Sequence, residues 1–132
     1  MKNLFLVVLL GVLFSSCDPV STMEADIENL TSENLIIEFA SFDTSSNKTL
    51  QIAPNEIQLF QEGFDVGGSF LEPSLVEYDS VVIKNQADNI LKVFKPNDIE
   101  KNIYNIDKYW TRSKPSKRVF KYKYELTEID IR

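Results

Sequence analysis

Beyond its first residues this sequence predicts an all-β fold, an antiparallel β-sandwich or a small barrel. Three observations carry that prediction. Apolar residues recur at period two, most clearly over residues 119–126, where Phe120, Tyr122, Tyr124 and Leu126 fall on one side and Val119, Lys121, Lys123 and Glu125 on the other. Polar clusters such as Asp43-Thr44-Ser45-Ser46-Asn47 and Gln86-Ala87-Asp88-Asn89 punctuate the apolar runs. Only one short stretch, near residues 97–106, carries a helical period.

Taken in order, residues 25–29 and 35–42 flank Leu30-Thr31-Ser32-Glu33-Asn34, whose Ser, Thr and Asn favour a turn, so the pair reads as a hairpin. In its second strand Leu35, Ile37 and Phe39 form the core face. Residues 49–53 and 56–61 around Pro54-Asn55 read as a second hairpin, with Leu50, Ile52, Ile57 and Leu59 inward. The stretch 63–70 holds three of the four glycines and predicts a long loop or a crossover between sheets. Phe64 and Phe70 at its edges are candidates to close over a ligand, against the plainer reading of a connection. No Gly-Lys-Ser/Thr follows, so it is not a phosphate loop.

Residues 80–85 and 90–95 frame a third hairpin. Asn97, with Glu100 three residues on and Ile99, Ile103 and Ile106 on one face, predicts a short helix over the end of a sheet. Residues 109–118 read as a basic loop, and the change of parity at Thr127, Ile129 and Ile131 predicts a bulge or turn near residues 126–128. The spacing fits an immunoglobulin-like sandwich and a small barrel equally. No internal repeat interrupts it.

The N-terminus has a different character. Lys2 is followed by an apolar run from Leu4 to Phe14, then Ser15, Ser16 and Cys17. The run is too short to span a bilayer, which takes about 20 residues, and it has the parts of an export signal. The approach to the sole cysteine resembles the lipobox of bacterial lipoproteins, with Phe14 where that family prefers leucine. The resemblance implies a signal peptide at 1–16, acylation of Cys17 and a lipidated tether at 17–23 reaching roughly 20 Å; the remaining length and strand pattern predict a single β-domain at 24–132. It further implies attachment to a membrane in the envelope of a Gram-negative bacterium, the outer membrane before the inner. The whole chain is similar to small all-β envelope lipoproteins of unknown role.

Composition narrows the chemistry. Histidine is absent and Cys17 is the only cysteine, which removes the commonest general base, the usual zinc ligands, Ser-His and Cys-His pairs, and any disulfide. No metal, no cofactor and no catalytic residue is expected. A carboxylate-pair hydrolase is the remaining enzymatic alternative, and no spacing marks one. Asp88 and Asn89, or Asn97 and Asp98, lack the dense oxygen spacing of a calcium loop. Asn29-Leu30-Thr31 and Asn47-Lys48-Thr49 match an N-glycosylation triplet that an exported bacterial chain seldom uses. Asp79-Ser80-Val81 resembles an O-glycosylation triplet, and a strand start accounts for it equally well.

The net charge of −6 conceals an asymmetry. Residues 17–91 carry fourteen acidic and two basic side chains, whereas residues 92–123 carry ten basic and three acidic ones. A chain so acidic overall does not suit nucleic acid, and mutual neutralisation across neighbouring strands is the plain reading. The candidate surface for a ligand or partner is Tyr109, Trp110, Arg112, Lys114, Lys117 and Arg118, with Tyr104 beside it and the outward Lys121 and Lys123 continuing it. Aromatic faces stack on sugar rings, and Arg and Lys attract carboxylate, sulfate or phosphate. The expected function is therefore a non-catalytic, membrane-anchored binding or structural module for an anionic glycan or headgroup. The alternative is an accessory or inhibitor protein docking on an envelope protein. Against a surface role, Trp110 would plug the core and the lysines would keep an edge strand soluble.

Overall fold

A computed structural model describes residues 18–132. The signal at 1–16 and the lipidation expected at Cys17 lie outside the described residues. Two four-stranded sheets pack face to face as an all-β sandwich, and neither closes into a barrel. The strands are β1 (Val20–Asn29), β2 (Leu35–Ala40), β3 (Lys48–Ile52), β4 (Ile57–Val66), β5 (Ser80–Asn85), β6 (Ile90–Phe94), β7 (Thr111–Ser116) and β8 (Val119–Leu126). One sheet has the order β4-β1-β8-β7, the other β3-β2-β5-β6.

β1 shows why the sandwich forms. Ser21, Met23, Ala25, Ile27 and Asn29 are buried while Glu24, Asp26 and Glu28 face outward, a period of two with one side in the core. The strand begins at Val20, so only Asp18 and Pro19 separate Cys17 from the sheet. The six-residue tether expected after Cys17 is thus mostly strand, because Ser21 and Met23 are core positions. β1 runs antiparallel to β4 and parallel to β8, pairing Thr22 with Val119 through Asn29 with Leu126. That parallel pair departs from the wholly antiparallel expectation.

Of the three hairpins expected, only β5–β6 is one. The first two connections cross between sheets, since β1 and β4 belong to one sheet and β2 and β3 to the other. Turn chemistry specifies that the chain reverses, not whether it returns beside its strand or opposite it. Asn29 fixes the first crossover. Its fully buried amide donates to the carbonyls of Glu33 at 2.7 Å and Ile52 at 2.9 Å, and its Oδ1 accepts from the Thr31 amide and hydroxyl at 2.9 and 2.7 Å. Asn55, with φ of 60°, turns the second and donates its amide to the Asn29 carbonyl at 2.7 Å. A bulge where β1 meets β4 puts Phe60 in the core and leaves Ile57 and Leu59 outside, the reverse of the expected facing.

Of the stretch 63–70 expected as a loop or crossover, residues up to Val66 belong to strand β4, held by pairing with β1, and the crossover to the other sheet runs from Val66 to Ser80. The expected helix at 97–106 is absent: Asn102 spends its side chain on the carbonyls of Lys95 and Asp98, which folds that segment into turns. One helical turn, α1 (Ile106–Tyr109), follows, capped by the Asn105 side chain accepting from the Lys108 amide at 3.1 Å. The basic segment after it is the edge strand β7 rather than a loop. Past β8, a 3-10 turn (Glu128–Ile131) ends the chain where the change of parity was read.

Between the sheets runs a chain of aromatic rings. Phe39 stacks on Phe60 at 4.8 Å and meets Tyr78 in a tilted contact at 5.3 Å, Trp110 lies 5.5 Å from Tyr124 and 6.1 Å from Phe60, and Phe94 meets Tyr124 edge-on at 6.3 Å.

Candidate functional site

α1 delivers the chain to the sheet edge. Trp110, next in sequence, donates its backbone amide to the Ile106 carbonyl at 3.2 Å and turns into the extended conformation that opens β7. Its ring is only 4% exposed, and its indole N–H donates to the Ile103 carbonyl at 2.8 Å. The stacking platform expected of Trp110 is therefore absent; the ring fills the core, as its size and apolar area favour. Tyr109 is half-buried against that core, with the Lys108 ammonium 5.0 Å from its ring centre. Tyr104 belongs to a different depression, of about 520 Å³, lined also by Glu72, Leu75, Val76 and Pro96. Its hydroxyl donates to the Tyr78 carbonyl at 3.2 Å, and burial, then Asp79 and Asp98, push its pKa up to about 12.

Every residue of β7 is exposed. Alternate residues point to opposite faces: Thr111 and Ser113 pair with Lys123 and Lys121 on the outside, while Arg112 pairs with Tyr122. Arg112 reaches back to Asp107 at 3.3 Å. Lys114 places its ammonium 5.3 Å from the centre of the Phe120 ring. Lys117 lies exposed in the β7–β8 turn, and Arg118 folds over Gly68, where an added Cβ would sit 2.9 Å from its Nε.

The cations fall into two groups. Lys121 meets Glu24 at 2.7 Å, and Lys123 meets Glu28 and Glu125. Hydrogen bonds that the ammonium groups donate to those carboxylates, to Glu24 for Lys121 and first to Glu28 for Lys123, raise both lysine pKa values. These pairs are the neutralisation across strands that the charge asymmetry suggested. Lys114, Lys117 and Arg118, by contrast, have no carboxylate within ion-pair distance among the described residues. Six positions read as one surface are thus divided: three free cations at the β7–β8 turn, one paired arginine, and two aromatic residues drawn into the core.

Between β7 and the outer face lies a shallow groove of about 250 Å³ touched by Asp26, Thr111, Arg112, Ser113, Lys121 and Lys123. Burial and then Glu24 raise the Asp26 pKa, and Lys121 opposes them. Asp130 is the one carboxylate buried among the described residues. It accepts from Lys101 at 2.7 Å and from the Thr127 amide and hydroxyl, both at 2.8 Å.

Other sequence signals resolve into structure. The Asn29 amide is enclosed and fully bonded, so its triplet serves the crossover. Asp88, at φ of 63°, turns the β5–β6 hairpin and pairs with Lys84 at 3.1 Å, and Asp98 accepts from the Lys95 amide at 2.8 Å. Phe64 and Phe70, the candidates to close over a ligand, are exposed, and so is Val66, which the sequence did not mark; all three reach the same end of the sandwich as the free cations. Their signal was present in the unpaired aromatics flanking the glycines, without the pairing that places them. No family model, curated protein or solved structure matches the chain.

Proposed function

We propose that this chain is a lipid-anchored envelope protein whose β-sandwich works by binding, without catalysis, and that the anion-binding element is the β7–β8 turn. The observation that carries the reading is the isolation of Lys114, Lys117 and Arg118 from every described carboxylate in a chain of net charge −6. Where most other cations are satisfied internally, a cluster left free is available to an external anion. The short link from Cys17 to Val20 supports a place of work beside the membrane. The single buried carboxylate, already held by Lys101 and Thr127, supports the non-catalytic reading.

Mass spectrometry of the mature N-terminus tests the anchor, with a diacyl or triacyl Cys17 expected and an unmodified thiol overturning it. Isothermal titration with sulfated and uncharged oligosaccharides of equal length tests the element. Salt-sensitive binding of the sulfated one alone, lost in Lys114→Glu/Lys117→Glu/Arg118→Glu, is expected; equal binding by that variant overturns it. Docking on an envelope protein is a second reading of the same turn, favoured by the wholly exposed edge strand β7, whose open side can meet a partner. It predicts one dominant crosslink from Lys114 or Lys117 in intact cells.

A further inference from the structure

Three features converge at one end of the sandwich. The chain comes in there: Pro19 accepts from the Gly67 amide at 2.6 Å, and Val20 pairs with Val66. Cys17 stands two residues before Pro19 in the sequence, a backbone reach of at most roughly 7 Å. The β7–β8 turn closes at the same end, the Thr22 amide donating to the Arg118 carbonyl at 2.8 Å and Arg118 lying over Gly68. Here too the apolar side chains are turned outward. Phe64, which pairs with Thr22, is 74% exposed, Val66 is 57% and Phe70 is 60%.

The rings and the cations are interleaved. Phe70 packs edge-on against Phe120 at 5.1 Å, and Phe120 carries the Lys114 ammonium. Asp18 and Asp65 are acidic groups at this end, and Glu24 and Glu62 line a depression together with Phe64; Asp65 is engaged by the Ser69 amide at 3.3 Å and Glu24 by Lys121 at 2.7 Å. The opposite end, where Asn29 pairs with Leu126, carries Glu33, Glu128 and Arg132. Exposed apolar side chains and free cations at one end of the sandwich, next to the point where an acyl chain would attach, match a bilayer surface better than an aqueous ligand. The apolar groups gain from the headgroup and acyl boundary, and the cations gain from anionic headgroups.

We infer that this end rests on the membrane that holds Cys17, with Phe64, Val66 and Phe70 entering the headgroup and acyl boundary and Lys114, Lys117 and Arg118 lying on anionic headgroups. The inference rests on the proposed anchor and anion-binding turn, and it names the anion as the lipid surface itself. The sandwich is then held in one orientation, with the Leu126 end facing away from the bilayer.

The test uses the full lipidated chain reconstituted in phosphatidylethanolamine vesicles containing phosphatidylglycerol, with and without lipid brominated on the upper acyl chain. Phe70→Trp and, as a second reporter, Phe64→Trp are compared with Ile129→Trp at the far end; the buried Trp110 gives a common background. Strong quenching of the two near-end reporters and none of Ile129→Trp is expected. Vesicle binding by the unlipidated mature chain should fall about 100-fold when all three cations become glutamine, a loss of the size expected for three surface charges. Equal quenching at both ends, or none at the near end, overturns the inference. If quenching is absent but the sulfated oligosaccharide still binds, the proposed function stands and the membrane seat falls. If a crosslink to one protein replaces the quenching, the face belongs to that partner.

Discussion

Glu24 and Lys121 face each other directly across the parallel pair β1–β8, carboxylate to ammonium at 2.7 Å. The acidic first half of the chain and the basic segment before its end are brought together by that register. Lys84 repeats the pattern with Glu38 across β2–β5 at 2.9 Å. Both partners of the Glu24–Lys121 pair are nearly half-exposed, so solvent screening keeps the interaction weak. Glu24→Gln should therefore lower Tm by only about 1–4 °C at low salt, and by less in high salt. Melts at two ionic strengths check this; a drop that persists at high salt would mean that Glu24 acts through packing.

The environment of Trp110 is the firmest departure from the surface expected of residues 109–118. Trp110→Ala should destabilise by about 3–5 kcal/mol, as cavities at large core residues do. Trp110→Phe keeps much of the ring contact but leaves the Ile103 carbonyl without its donor, a loss of about 1–3 kcal/mol. Urea titration measures both, and wild-type emission should be blue-shifted and resist iodide. An emission maximum like that of free tryptophan would place the ring in water.

Asp26 sits on the outer face of β1 between Glu24 and Glu28. Burial comes first among the causes that raise its pKa, and Glu24 second, with Lys121 only partly compensating. A raised carboxyl pKa means that the folded state holds its proton more tightly than the unfolded chain. The stabilising contribution is present below the ordinary value of 3.8 and is lost as pH rises through the folded value. At neutral pH the charged form is thus a mild liability. Asp26→Asn should raise Tm by about 1–3 °C at neutral pH, with no gain in strong acid; a lower Tm at neutral pH would show that the carboxylate is needed.

The sandwich was legible in the sequence because period-two strands of the β8 kind state both their type and their buried face. What was not legible is which strand lies beside which. Leu30–Asn34 and Pro54–Asn55 announce reversals, but the choice between returning in the same sheet and crossing to the other depends on Asn29, whose buried amide ties both crossovers at once. The isoleucines at 99, 103 and 106 keep a helical spacing, yet Asn102 binds the backbone of Lys95 and Asp98 and overrides it. At the candidate site, charge was readable and exposure was not. Lys114 and Lys121 look alike in sequence, and only the partner strand shows that one is matched and the other free.

Tyr124 has its hydroxyl in the core with no hydrogen-bond partner among the described residues. Removing an unpaired buried hydroxyl while keeping the ring should be neutral or stabilising, so Tyr124→Phe is expected to gain up to about 1 kcal/mol. Urea unfolding at neutral pH decides it; a loss larger than about 1 kcal/mol would reveal an unseen partner for that oxygen.

Alkaline pH should be the protein's weak side. Burial is the leading cause that raises the phenol pKa of Tyr78, Tyr104, Tyr122 and Tyr124, with Tyr104 reaching about 12. The unfolded phenols ionise near 10.0, so above that pH the folded chain binds more protons than the unfolded one. Stability supplied by these groups is complete below about 10 and drains away as pH climbs through their folded values. Lys84, Lys121 and Lys123, also raised by their carboxylate partners, act in the same direction above 10.5. Tm should therefore hold level through neutral pH and fall steeply between about 10 and 12. Tyrosinate absorbance should appear together with the loss of β-sheet signal, and Tyr124→Phe should make the descent shallower. Smooth ionisation near 10 in a chain that stays folded would mean that the phenols are open to water.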